Sequence, residues 1–166
     1  QELLFFIAPS QRVFLYPSWD IKPFERISPP SELMGQRWKG MHQLISDPEP
    51  AIVVASLGAV LQRVPPREVL PRWVFSICPD QEFPREELID RLEGMGYARV
   101  SIVTEMGEFA VRGQLVDVFS PAVAAPLRVE FSGDTVESVR TFDPDTQRSS
   151  ESLERALILP VKEVLF

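Results

Sequence analysis

Arg112, Arg128 and Glu130 are the residues of this chain whose types and spacing best suit a specific polar contact. In Phe109-Ala110-Val111-Arg112 and Leu127-Arg128-Val129-Glu130-Phe131-Ser132, apolar and polar side chains alternate. In extended strands that alternation sends Phe109, Val111, Leu127, Val129 and Phe131 inward and Arg112, Arg128 and Glu130 outward. An outward guanidinium is a planar fork of N–H donors that matches a carboxylate offered by another molecule. On pattern alone the face reads first as a solvated sheet surface with weak cross-strand ion pairs, and docking is the second reading.

Other chemistry has less support. The carboxylate pairs Asp117 with Glu130 and Asp143 with Asp145 have the residue types for acid/base work, but no stabilising cation or convergent pocket accompanies them at a defined spacing. A nucleotide site needs a glycine-rich loop ending in Gly-Lys-Ser/Thr after a strand, so that backbone N–H groups cradle the phosphates. The nearest string, Gly94-Met95-Gly96, ends a helix instead. A single histidine, His42, and a single cysteine, Cys78, do not make a zinc set or a disulfide, and Cys78 in the apolar run from Trp73 reads as a buried structural thiol. No catalytic residue, cofactor or metal is expected.

The elements that would carry these residues form two groups. Arg12–Tyr16, a helix begun by Ser31 as N-cap and running to Ser46, and the β-branched run Ala51–Ala55 make a strand, helix, strand unit with parallel strands, the second covered on both faces. A short helix over residues 57–62 ends near Pro65 and Pro66, and the proline-rich segments 17–30 and 65–71 read as connectors. Beyond them come a strand over 73–78 and a helix over 84–95 with Pro84 first and Gly96 closing it. Period-two segments follow at 100–104, 108–112, 115–119, 127–131 and 135–142. Ser132-Gly133-Asp134 turns a hairpin, and Val136 and Val139, three apart on one strand, imply a bulge. The expected fold is therefore α/β plus α+β: a parallel α/β lobe over residues 1–71, an antiparallel-sheet-and-helix lobe over 72–155, and a return segment over 156–166.

Charge supports that division. The 166 residues carry 17 Lys/Arg against 24 Asp/Glu, a net charge of −7. Residues 1–70 hold seven of each sign, so the whole excess lies in the second part. An acidic lobe without a basic stripe is a poor autonomous DNA binder, and 14 of the 17 cations are arginines suited to pairing with carboxylates. No apolar run is long enough to span a membrane and no signal-peptide pattern is present, which reads as a cytoplasmic protein. Gln1 in place of Met suggests a piece of something longer.

Several strings in one order carry a family resemblance: Tyr16-Pro17-Ser18-Trp19-Asp20, Pro23-Phe24-Glu25-Arg26, Ile52-Val53-Val54-Ala55-Ser56, Tyr97-Ala98-Arg99-Val100, Gly107-Glu108-Phe109-Ala110-Val111-Arg112-Gly113, Leu115-Val116-Asp117-Val118-Phe119, Arg128-Val129-Glu130-Phe131, Phe142-Asp143 and Thr146-Gln147-Arg148-Ser149. Together they resemble the N-terminal module of the bacterial transcription-repair coupling factor (Mfd) family, itself similar to the front part of the excision-repair protein UvrB. The resemblance implies a degenerate helicase-like first lobe and an inserted, UvrB domain 2-like second lobe that binds UvrA, bringing excision repair to a stalled RNA polymerase. It implies an adaptor, with the parent's ATP-driven motor outside this chain. Arg112 and Arg128 match family arginines that contact UvrA, with Glu130, Phe131 and Ser132 beside them. Ser132 stands where relatives often carry a second phenylalanine, which shifts the expected contact toward the arginines and toward salt dependence. The resemblance further implies that a C-terminal domain of the parent masks the same surface at rest. The alternative is a DNA-contacting fragment of a UvrB-type helicase; for this chain little or no DNA binding is expected.

Overall fold

The computed structural model describes residues 12–19, 21, 28–47 and 49–162. Asp20, Pro23-Phe24-Glu25-Arg26 and the two ends of the chain, all part of the sequence reading, therefore lie outside the described residues.

The first group of elements starts with β1 (Arg12–Tyr16), helix α1 (Ser31–Ser46) and β2 (Ala51–Ala55). β1 and β2 pair in parallel, Arg12 beside Ala51 through Tyr16 beside Ala55, as the continuous apolar run implied. The expected cover on both faces of β2 is not found, because Val53 and Val54 remain 39% and 41% exposed. Pro30, not Ser31, is the N-cap of α1, and no side chain caps that end. Pro30 holds extended backbone angles, so Ser31 becomes the first helical residue. The short helix α2 (Leu57–Leu61) is capped by Ser56, whose hydroxyl accepts from the Ala59 N–H at 3.1 Å. A 3-10 turn (Arg67–Val69) and helix α3 (Leu70–Trp73) occupy the stretch read from its prolines as a plain connector. Pro71 is tolerated because it stands in the first turn, where its missing N–H has no partner to lose. Trp73 therefore ends a helix and does not open the next strand.

Next come β3 (Phe75–Ile77) and helix α4 (Arg85–Gly94). α4 carries Glu86 and Glu87 in its first turn, where the helix dipole favours them. Gly96 follows with φ +88°, the left-handed conformation that a helix stop needs. Pro84 is the N-cap and Arg85 the first helical residue, one position later than the spacing implied. Cys78, read as buried, is half-buried.

Six strands form one sheet in the order β4 (Ala98–Arg99), β5 (Glu108–Arg112), β6 (Leu115–Val118), β7 (Leu127–Ser132), β8 (Thr135–Phe142) and β9 (Ser149–Ser152). β5 to β9 are antiparallel, and β4 joins the edge in parallel with β5. Residues 100–104, expected as a strand, are a loop; Val103 is buried there against Ala110 and Phe142, so its apolar character serves packing rather than a ladder. The predicted bulge is present in β8: Phe131 pairs with Val136 and Glu130 with Ser138, leaving the exposed Glu137 as the extra residue.

Alternation does the rest. Phe109, Val116, Val118, Leu127, Val129 and Phe131 lie on one sheet face and pack with Leu88, Ile89 and Leu92 of α4. Each such side chain contributes about 1.5–3 kcal/mol on burial. The last strand, β10 (Ala156–Ile158), pairs antiparallel with β3. Ala156 and Ile158 join this core, while Leu157 and Leu159 turn to a second cluster around Trp38, Tyr16 and Leu70.

Candidate functional site

The opposite face of the six-stranded sheet carries the polar residues singled out from the sequence. The hairpin register sets them in line. Ala110 lies opposite Asp117, Asp117 opposite Arg128, and Arg128 opposite Arg140; one step along, Arg112 lies opposite Leu115, Leu115 opposite Glu130, and Glu130 opposite Ser138. In these two rows three arginines stand against two carboxylates, a local excess of one positive charge within an acidic lobe, while Glu108 at the other end of β5 shares the face by alternation.

Asp117 is the centre of the arrangement. It is 1% exposed, a burial that an ionised carboxylate tolerates only when its oxygens are bonded. Arg128 grips it with both prongs, Nε to Oδ1 at 2.8 Å and Nη2 to Oδ2 at 3.0 Å. Arg112 donates from Nη2 to the same Oδ2 from the other side. Arg128 also donates through Nη1 to the Gln147 carbonyl at 3.1 Å and to the Ser149 hydroxyl at 3.2 Å, and its guanidinium lies 4.7 Å from the centre of the Phe142 ring. The bond to Asp117 makes Arg128 hold its proton more tightly than an ordinary arginine, partial burial opposing and the charges of Asp117 and Glu130 assisting.

The loop that supplies Gln147 is built for the purpose. Asp143 Oδ1 accepts from the Asp145 N–H at 3.0 Å, the Thr146 N–H at 2.7 Å and the Thr146 hydroxyl at 3.0 Å. Those bonds to the charged form hold its carboxyl below the usual aspartate range. Gln147 stands at φ +60°, and its side-chain amide donates to the Val103 and Pro144 carbonyls. The string Phe-Asp followed by Thr-Gln-Arg-Ser thus folds into a bracket whose Gln147 carbonyl meets Arg128.

The sequence-predicted residues separate as follows. Arg112 stands at the end of β5 with its side chain 41% exposed, and Arg128 is deeper, at 15%. Glu130 is half-buried and accepts from the Ser138 hydroxyl at 3.2 Å. Ser132 is exposed at the hairpin end of β7, on the same side by alternation. Phe131 is 2% exposed and points the other way, into the core against α4. Asp117 and Glu130 do not converge as an acid/base pair, since Asp117 is committed to the two arginines. The clamping role of Asp117 was not visible in its own strand, and neither was the part played by Gln147. Among the described residues no three His, Cys, Asp or Glu side chains group to hold a metal ion, and no helix is long and apolar enough to cross a membrane.

Comparison with known proteins agrees on one family. Residues 75–164, which include the whole six-stranded sheet, match the family described as the UvrB interaction domain. The chain is similar to the transcription-repair-coupling factor of Myxococcus xanthus, 36% identical over 159 residues that make up 96% of this chain and 13% of that protein. It is also similar to those of Haemophilus influenzae, at 34% over 93% of this chain and 13% of the relative, and Escherichia coli, at 31% over 92% and 13%. The chain thus spans only about an eighth of the length of these relatives. With its sheet, its helix and its arginine face all inside the matched region, the chain belongs to the UvrB interaction domain family.

Proposed function

We propose that this chain is a non-catalytic docking module of a transcription-repair coupling factor, and that it binds UvrA through Arg112, Arg128 and Glu130, with Ser132 at the rim and Phe131 supporting the strand from beneath. The observation that carries this reading is the pair of arginines fixed on the buried Asp117, on the polar face of an otherwise acidic lobe. A locally positive spot suits an acidic group on the partner, and prepositioned arginine forks are the kind of anchor that dominates an interface. The membership of residues 75–164 in an interaction-domain family and the likeness to coupling factors support it.

In the longer protein the module would recruit nucleotide excision repair to a stalled RNA polymerase in the bacterial cytoplasm, and a C-terminal domain would cover the face at rest. The parallel β1–β2 pair with α1 fits a degenerate helicase-like lobe over residues 1–71, with the UvrA-binding lobe inserted over 72–155 and the chain returning over 156–166.

The test is a titration of UvrA with the purified chain and with Arg112→Ala and Arg128→Ala at low and high salt. Each variant should weaken binding about tenfold or more, and added salt should weaken the wild type, because the Debye length falls to about 8 Å at 0.15 M. A folded wild-type chain with no affinity for UvrA would remove the proposal.

A further inference from the structure

The two arginines are not equivalent. Arg128 spends Nε, Nη1 and Nη2 on four bonds inside the lobe, to both Asp117 oxygens, the Gln147 carbonyl and the Ser149 hydroxyl, and its flat face rests on Phe142. An arginine has five N–H donors, so little of its fork is left for another molecule. Arg112 is different. Among the described residues its one hydrogen-bond partner is Asp117, through Nη2, and its side chain is 41% exposed. Among the described residues its Nε and Nη1 edge has no partner.

We infer that Arg112 is the fork that reaches a carboxylate on the partner, and that Asp117 and Arg128 are positioning residues that hold Arg112 aimed outward. The inference rests on the docking function proposed above and assigns the parts within it. A long arginine side chain at a strand end would otherwise explore many rotamers, and fixing it before contact removes that entropy from the cost of binding. Asp117 can do so because Arg128 satisfies its remaining bonds and pins it in place from the neighbouring strand. The Asp143 bracket in turn fixes Arg128, so orientation passes inward from Arg112 to Asp117, to Arg128 and to Gln147.

A double-mutant cycle measured on UvrA binding tests the assignment. Asp117→Asn should weaken binding about tenfold to a hundredfold in the wild-type background, the scale of a charged hydrogen bond. It should cost less than about twofold when Arg112 is already lysine, which keeps the charge and loses the fork. A merely structural Asp117 would cost the same in both backgrounds, and that result overturns the inference. Arg128→Lys is the second variant should Asp117→Asn fail to fold, with the same expectation against Arg112→Lys. A readout without partner separates this inference from the docking proposal: relaxation of the side-chain Nε–Hε groups by NMR. Arg112 should be ordered in the wild type and mobile in Asp117→Asn or Arg128→Lys. An Arg112 signal that is mobile in the wild type, or unchanged in the variants, overturns the assignment whether or not UvrA binds.

Discussion

At the scale of single residues, the alternation in β5 and β7 was enough to place Arg112, Arg128 and Glu130 on one face, because side-chain direction in a strand follows position parity. What Asp117 does was not legible. Its partner Arg128 is eleven positions away across the irregular 119–126 connection, and only the observed register sets the two side by side. Asp143 illustrates the same limit, since its spacing from Asp145 offered only the residue types for acid/base work, while its carboxylate caps the bracket loop. Its depressed pKa makes a testable statement about acid. A carboxylate whose folded pKa lies below its unfolded value stabilises the fold above the unfolded value and loses that contribution as pH falls through the folded one. The Asp143 carboxyl should therefore titrate, by carboxyl-carbon NMR, with a midpoint below the ordinary 3.8, and the amides of Asp145 and Thr146 should stay protected down to that point. In Asp143→Asn the amide shifts should lose their acid-dependent step. A midpoint at or above 3.8 would show that the bracket is not held by the charged form.

Among elements, those with strong patterning were readable and those held by tertiary context were not. α4 and the strands β5 to β8 combine a clear period with punctuating glycines. β9 is Ser-Ser-Glu-Ser, with every residue exposed, and carries no apolar signal; it is a strand because β8 offers a free edge and because the bracket loop delivers it there. Residues 100–104 had the composition of a strand but bury Val103 as loop cover. The β5–β6 hairpin turns on Gly113-Gln114, since Arg112 pairs directly with Leu115. Gly113 sits at φ +60°, and an added Cβ would meet nothing within 4 Å, so glycine is needed there for its backbone angle and not for space. Gly113→Ala should cost about 1–2 kcal/mol, the penalty for a left-handed alanine. Because the Gly113 carbonyl accepts from Arg85 at the start of α4, the same variant should loosen the neighbouring Arg112. Denaturant unfolding and UvrA titration check the pair of effects; unchanged stability would mean that the turn relaxes into another type.

For the molecule as a whole, the question is how the two cores act as one. β3 and β10 answer part of it, because their ribbon sends Ile77 and Ile158 to one cluster and Leu157 and Leu159 to the other. Side chains from both groups bond the returning segment: the Tyr97 hydroxyl donates to the Leu159 carbonyl at 2.6 Å and the Trp38 indole to the Lys162 carbonyl at 2.9 Å. A further tight contact lies elsewhere. Gly35 of α1 faces Pro121, in the connection between β6 and β7, and a Cβ on Gly35 would fall 2.0 Å from the Pro121 Cβ and 2.6 Å from its Cγ. In an isolated helix glycine at position 35 is a weakness, and alanine there should gain about 0.8–1 kcal/mol in propensity. Packing reverses the sign. A proline ring has no rotamer by which to withdraw, so α1 and the connection would have to separate, at a cost of about 1–3 kcal/mol or more. Gly58, in α2, is the control, since its nearest contacts would be at 3.8 and 3.9 Å and its φ is not positive. Gly58→Ala should be neutral or slightly stabilising and Gly35→Ala clearly destabilising, read as opposite shifts in thermal midpoint of about 2–4 °C per kcal/mol for a chain of this size. Equal shifts would mean that α1 does not rest on Pro121 in solution.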